Sequence, residues 1–131
     1  MSVPVPQTAP RPVRWIASSK DDVSAFPDDV RRRIGGALWE AQIGRKAAYA
    51  KPLRGFGGAG VLEVVDDFDG DTFRAVYTVR FAGLVYVLHA FQKKSKRGIA
   101  TAKSDLDTIA QRLKVAQEDY QRWLESAKTP T

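Results

Sequence analysis

The sequence predicts a small α+β domain: a mainly antiparallel sheet with helices packed against it. Three observations lead there. The middle of the chain holds three segments rich in β-branched and aromatic residues, Val61–Val65, Thr72–Val79 and Leu84–Phe91. The pairs Asp69-Gly70 and Ala82-Gly83 separate them as tight turns. Apolar residues recur at helical spacing on both sides of this β block. At 131 residues and 44% apolar composition the chain is one domain's worth. It is long enough to bury roughly two thirds of its unfolded surface.

Taken in order, residues 1–12 read as a flexible arm, because Pro4, Pro6, Pro10 and Pro12 remove backbone donors and favour extended chain. The domain spans 13–127, and 128–131 form a frayed tail. Val13 to Ala17, around Trp15 and Ile16, reads as a first short strand. Ser19 can cap a short helix, with Asp22 three residues on. Pro27 suits the first turn of a second helix, where its missing N–H costs nothing. That helix puts Val30, Ile34, Ala37, Leu38 and Ala41 on one stripe, Arg31, Arg32 and Arg33 on other faces, and stops at Gly44. In the second central strand, Phe73, Ala75, Tyr77 and Val79 share one side, and Arg74, Val76, Thr78 and Arg80 the other. The third strand is apolar on both sides, so it is central and covered. A last helix begins near Ser104, capped with Asp107, and carries Leu106, Ile109, Ala110, Leu113 and Tyr120 onto the core. The predicted order is β-α-α-β-β-β-α.

Composition excludes several kinds of chemistry. There is no cysteine, so no disulfide framework, thiolate metal site or thiol nucleophile. A single histidine excludes a multi-histidine metal site. No cofactor is expected. No apolar run approaches ~18 residues, so no membrane span is expected, and no signal peptide is visible. A cytoplasmic protein is the default expectation. The net charge of +6 and the pI near 9.8 point to a polyanionic partner. The charges are segregated: Glu63 to Asp71 holds five acids and no base, while Lys93, Lys94, Lys96, Arg97 and Lys103 form a run without acids. The basic run reads either as a binding site or as a solvated loop.

Two motifs mislead. Gly55-Phe56-Gly57-Gly58-Ala59-Gly60 has the glycine spacing of a dinucleotide-binding turn, but a strand follows it where that chemistry needs a helix N-terminus. It reads as a glycine loop feeding a strand, whose freedom can serve a binding site. Asp66-Asp67-Phe68-Asp69-Gly70-Asp71 looks like a calcium loop, but Val65 and Val76 stand where ligating acids belong, so it reads as an acidic hairpin.

The constellation with chemical content is cationic. His89 lies near the end of the third strand and directly before Lys93 and Lys94; Arg74 lies on the neighbouring strand; Lys51 and Arg54 lie on the loop leading into the sheet. Pairing of the strands can gather these cations on one concave face suited to a phosphate backbone.

Lys51-Pro52-Leu53-Arg54-Gly55, Phe73-Arg74-Ala75-Val76-Tyr77 and Leu88-His89-Ala90-Phe91-Gln92-Lys93-Lys94-Ser95-Lys96, in that order, resemble the RelE/ParE toxin superfamily, and within it the HigB-like, phage-related toxins of type II toxin–antitoxin systems. The resemblance covers roughly Val13 to Lys114. It implies a RelE-like, microbial-RNase-like fold and a ribosome-dependent mRNA endonuclease that inhibits translation without a metal. By position it implies catalytic roles for Arg74, His89 and Lys94, and RNA contacts for Lys51, Arg54, Lys93, Lys96 and Arg97. The partners it implies are ribosome and mRNA, a cognate helix-turn-helix antitoxin, and operator DNA through the antitoxin complex, with no membrane. Many relatives carry Glu-Leu-Arg on the strand before the first hairpin; here the stretch is Glu63-Val64-Val65, so that cation is either missing or supplied from elsewhere, by Arg74 or Arg80. A gyrase inhibitor of the ParE type and a catalytically inactive RNA- or ribosome-binding relative are the alternatives. Tyr120 reads as core rather than as a base-stacking residue.

Overall fold

A computed structural model of the chain describes residues 9–58, 60–94 and 101–128, with Lys94 and Lys128 described in their backbone alone. Eight elements follow one another: β1 (Val13–Trp15), α1 (Ser19–Ser24), α2 (Asp28–Gln42), β2 (Ala50–Pro52), β3 (Val61–Phe68), β4 (Asp71–Thr78), β5 (Val85–Lys94) and α3 (Lys103–Lys128). The predicted order therefore lacks one strand. β2 is three residues long, carries a lysine and a proline, and shows no alternation to read. It lies at the edge of the sheet, the one place where a strand tolerates a proline without a donor.

The five strands form one sheet in the order β1-β5-β4-β3-β2. Only the β1–β5 pair is parallel; the other pairs are antiparallel, as predicted for the bulk of the sheet. The β3–β4 hairpin turns on Asp69 and Gly70, both at positive φ (53° and 84°), the signature of a two-residue type I′ turn. Such a tight turn keeps the ladder paired up to Phe68 and Asp71. Asp66, Asp67 and Asp71 consequently belong to strands rather than to a loop.

Helices cover both faces. On one face the stripe Val30, Ile34, Ala37, Leu38 and Ala41 of α2 packs on Leu62, Val64, Phe73, Ala75, Tyr77, Val85 and Val87. On the other, Ile109 and Ala116 of α3 pack on Val61, Val76, Tyr86 and Leu88, with Leu106, Leu113, Tyr120 and Trp123 at the margins. Ala110, expected in that stripe, is exposed. Tyr120 is core-packed as predicted: its ring lies against Phe81 and Trp123, and its hydroxyl donates to the Ala82 carbonyl at 2.7 Å. Arg14 is explained by α3, since its guanidinium pairs with Asp119 at 2.9 Å, and the Tyr86 hydroxyl donates to the same carboxylate at 2.6 Å. Burial first, then the Asp119 hydrogen bond and charge, raise the Tyr86 phenol above its usual range.

Two caps differ from expectation. Ser18 is the N-cap of α1, with its hydroxyl donating to Asp22 at 2.8 Å. Ser19 is buried instead, and its hydroxyl donates to the Val87 carbonyl at 3.2 Å. Asp107 pairs with Lys103 at 3.0 Å one turn back rather than capping Ser104. No helix among the described residues is long and apolar enough to cross a membrane.

Candidate functional site

Strand register builds the site. Lys51 is paired with Glu63, Glu63 with Val76, and Val76 with His89. The next row runs Val65, Arg74, Phe91, and the one after it Asp67, Thr72, Lys93. Directly paired residues share a face of a sheet. Lys51, Glu63, Arg74, His89 and Lys93 thus stand on the face that carries α3.

A β-bulge makes this possible. The β4–β5 register shifts between Val76 and Tyr77, so Val76 opposes His89 while Tyr77 opposes Val87. Leu88 is the extra residue. Without it, alternation from Tyr86 would turn His89 towards α2. With it, Tyr86, Leu88 and His89 all meet α3, and the strand keeps Val85, Val87 and Ala90 on the α2 side.

Where α3 begins, the sheet face opens into a cavity of about 320 Å³ lined by Lys51, Arg54, Glu63, Arg74, Thr101 and Leu106, among others. Arg74 is 6% exposed. Its Nη1 lies 3.5 Å from Glu63 Oε2 and donates to Thr101 Oγ1 at 3.2 Å. Thr101 Oγ1 in turn lies 3.5 Å from the same Glu63 oxygen. A nearly buried guanidinium needs such partners, because an uncompensated buried charge is costly. Lys51 and Arg54 have no carboxylate partner among the described residues and are exposed at the rim. One carboxylate and three cations thus surround one opening, with the charge balance in favour of an anion.

His89 lies beside this cavity rather than among its lining residues. Its Nδ1 lies 3.2 Å from Arg112 Nη1 and its Nε2 2.9 Å from Asp105 Oδ1. A guanidinium can only donate, so Nδ1 accepts and the ring proton sits on Nε2, donated to Asp105. Asp105 also receives Lys93 at 3.7 Å. Arg112 additionally donates to the Leu88 carbonyl at 3.0 Å, which secures the bulge. The imidazole stacks on Phe91 with centroids 4.7 Å apart.

Of the residues singled out from the sequence, Lys51, Arg54 and Arg74 come together around the cavity, and His89 and Lys93 come together on Asp105. Lys94 closes β5 opposite Asp71 in register. Lys96 and Arg97 lie outside the described residues. Sequence reasoning missed Glu63, Thr101, Asp105 and Arg112. The first was legible in the register, since it opposes Lys51; the others depend on how α3 meets the sheet, which no local pattern specifies.

The remaining charges are accounted for elsewhere. Arg31 pairs with Asp28, Arg32 with Asp29 and Arg33 with Asp66, the last at 3.9 Å. Burial raises the Asp66 carboxyl above its ordinary range, against the lowering pull of Arg33. Among the described residues no group of three or more His, Asp or Glu side chains is placed to hold a metal ion.

No curated protein matches the chain. Among solved structures it is similar to the isolated Escherichia coli RelE toxin, at 17% identity over 77% of this chain and 97% of that one, with a TM-score of 0.49. It is similar to a doubly arginine-substituted E. coli RelE in the free state, at 16% identity over 68% and 87%, TM-score 0.47. It is also similar to the toxin–antitoxin complex RelBE2 of Mycobacterium tuberculosis, at 18% identity over 64% and 99%, TM-score 0.41. Residues 21–114 match the family described as phage derived protein Gp49-like (DUF891). That match spans well over half of the sequence, and on it the chain belongs to the Gp49-like phage-derived family, a RelE/HigB-type toxin family.

Proposed function

We propose that this chain is the toxin of a type II toxin–antitoxin system and acts as a ribosome-dependent mRNA endonuclease. The observation that carries the reading is the cavity shared by Lys51, Arg54, Arg74 and Glu63. It holds what RNA self-cleavage needs, and none of it is a metal. The 2′-oxygen of one nucleotide attacks the adjacent phosphorus, and the bond from phosphorus to the 5′-oxygen breaks. Glu63 takes the proton from the 2′-hydroxyl. Arg74 holds the phosphate and stabilises the charge that grows on its oxygens. Lys51, opposite Glu63 in register, supplies a proton to the leaving 5′-oxygen. The products are a 2′,3′-cyclic phosphate and a 5′-hydroxyl. Arg54, Lys93, Lys96 and Arg97 contact the RNA backbone, and Lys94 adds positive charge.

His89 enters differently. A neutral imidazole with its proton on Nε2 is a poor acid, since giving that proton up would leave an imidazolate. Held between Arg112 and Asp105, it fixes Asp105, and through it Lys93, at the mouth of the cavity. The family supports a toxin–antitoxin role, and with it a cognate antitoxin of the helix-turn-helix kind that blocks the cavity and carries the complex to operator DNA.

The test is a cell-free translation reaction given the purified chain, with primer extension along the translated message. Cuts inside the reading frame that require loaded ribosomes, and vanish with Arg74→Ala, are expected. Inhibited translation with intact message would reject the endonuclease and leave a binding inhibitor; no inhibition by folded protein would reject both.

A further inference from the structure

A second cavity, of about 380 Å³, lies next to the first. The two share a wall. Arg54 lines the first and Gly55 the second; Leu106 lines the first, and Ala110, four residues along the same helix, the second. Four residues of helix advance about 6 Å, close to the length of one extended nucleotide. Chain bound with a phosphate on Arg74 therefore reaches this second cavity with its neighbouring nucleotide.

The lining has a distinct chemistry. Phe56, Phe81 and Leu113 give it apolar walls, and Arg80, Lys114 and Gln117 give it polar edges. Phe56 comes from the glycine loop set aside above as a false dinucleotide motif. That loop is held in place by Arg80, whose Nη2 donates to the Phe56 carbonyl at 2.5 Å. Phe81 is fixed from behind by edge-on contact with Tyr86, centroids 5.7 Å apart, and by Tyr120 at 5.2 Å. Flat aromatic walls take a planar ring by stacking. Two cations and an amide offer mostly donors, and the nucleobase edge richest in acceptors is that of guanine, with O6 and N7.

We propose that this cavity is a nucleobase subsite: it stacks the base next to the scissile phosphate on Phe56 and reads a guanine with Arg80 and Lys114. The inference rests on the endonuclease reading and adds to it a sequence preference and the residues that set it.

The test is induced expression of the full chain with mapping of new mRNA 5′ ends, repeated with Phe56→Ala and Lys114→Gln. Lys114 is exposed on α3, so its substitution leaves the fold intact even where Phe56→Ala does not. Wild type is expected to favour guanine at one fixed position beside the cut by at least about fivefold, the lower end of stacking and base-edge contributions. Both variants are expected to cut still, with that preference reduced to within about twofold. Cuts by wild type without base preference would overturn the subsite and leave the endonuclease standing. Unchanged preference in both variants would also overturn it. No cuts by wild type at all would overturn the endonuclease reading and the subsite together.

Discussion

Arg74 is the residue on which most of the proposed chemistry turns. It is nearly buried yet lines an open cavity, and its register position opposite Val65 resolves a puzzle in the sequence. In the proposed site, the guanidinium that many relatives are expected to carry at the position of Val65 would come from Arg74, the directly paired residue on the next strand. Arg80, the other substitute considered, is engaged with Phe56 in the second cavity. Glu63→Gln keeps the hydrogen bonds to Arg74 and Thr101 but removes the base. Growth arrest on induction is expected to disappear, with a lowered melting temperature because nearly buried Arg74 loses its carboxylate partner; full toxicity would exclude Glu63 as the base. Another residue-scale prediction concerns stability. The Tyr77 hydroxyl is buried without a hydrogen-bond partner among the described residues. Burial, with Tyr49 adding to it, pushes its phenol up to about 12 from an ordinary 10. The folded state thus holds that proton more tightly than the unfolded chain. Its contribution is fully present below about pH 10 and is lost as pH rises through about 12. Tyr77→Phe removes an unsatisfied polar group, a change worth about 1 kcal/mol in favour of folding. Its advantage over wild type in urea midpoint should widen between pH 8 and pH 11; a narrowing gap would contradict this.

At the scale of elements, the two devices that shape the site differ in how far sequence reveals them. The Asp69-Gly70 turn is written in the residues, because few pairs other than Asp-Gly accept two positive φ angles in succession. The Leu88 bulge is not, since an apolar strand covered on both faces has no alternation to interrupt. This is why His89 could be placed on a strand but not on a face. β2 escaped for a related reason: three residues at an edge are specified by their partner β3, not by their own propensity. The cap of α1 shifted by one residue because a buried tertiary contact, Ser19 to Val87, outweighs local capping. A prediction belongs to the β4–β5 turn. Gly83 has φ +92°, and an added Cβ would lie 3.0 Å from the Trp123 ring. Gly83→Ala should cost on the order of 1–3 kcal/mol and lower the melting temperature by several degrees. An unchanged melting temperature would mean that α3 does not press on this turn.

The molecule as a whole separates its charges. The arginines of α2 are matched with carboxylates on α2 and β3, whereas the cations around the two cavities, Lys51, Arg54, Arg80 and Lys114, have no such partners among the described residues. These four positive charges lie where RNA is proposed to lie. Binding to ribosomes or single-stranded RNA should weaken linearly on a log–log plot against salt, because bound counterions are released. The combined Lys51→Ala and Arg54→Ala variant should reduce that slope by about 1 to 2, whereas Arg31→Ala should leave it unchanged. A flat response in wild type would make the basic face a solvated one. That Lys51, Arg54 and Arg74 could gather on one face was legible from the sequence. That they line an opening beneath the start of α3 was not, because it depends on where a long helix lands on a sheet.

The most direct measurement is the single-turnover rate of cutting of one defined message on purified, programmed ribosomes, for wild type and Arg74→Ala, with ribosome binding measured alongside. The proposed chemistry predicts a loss of roughly 100-fold or more in rate, the usual consequence of removing a group that stabilises charge in the transition state, with ribosome binding changed only slightly. Equal rates for the two proteins, both folded and both bound, would contradict it.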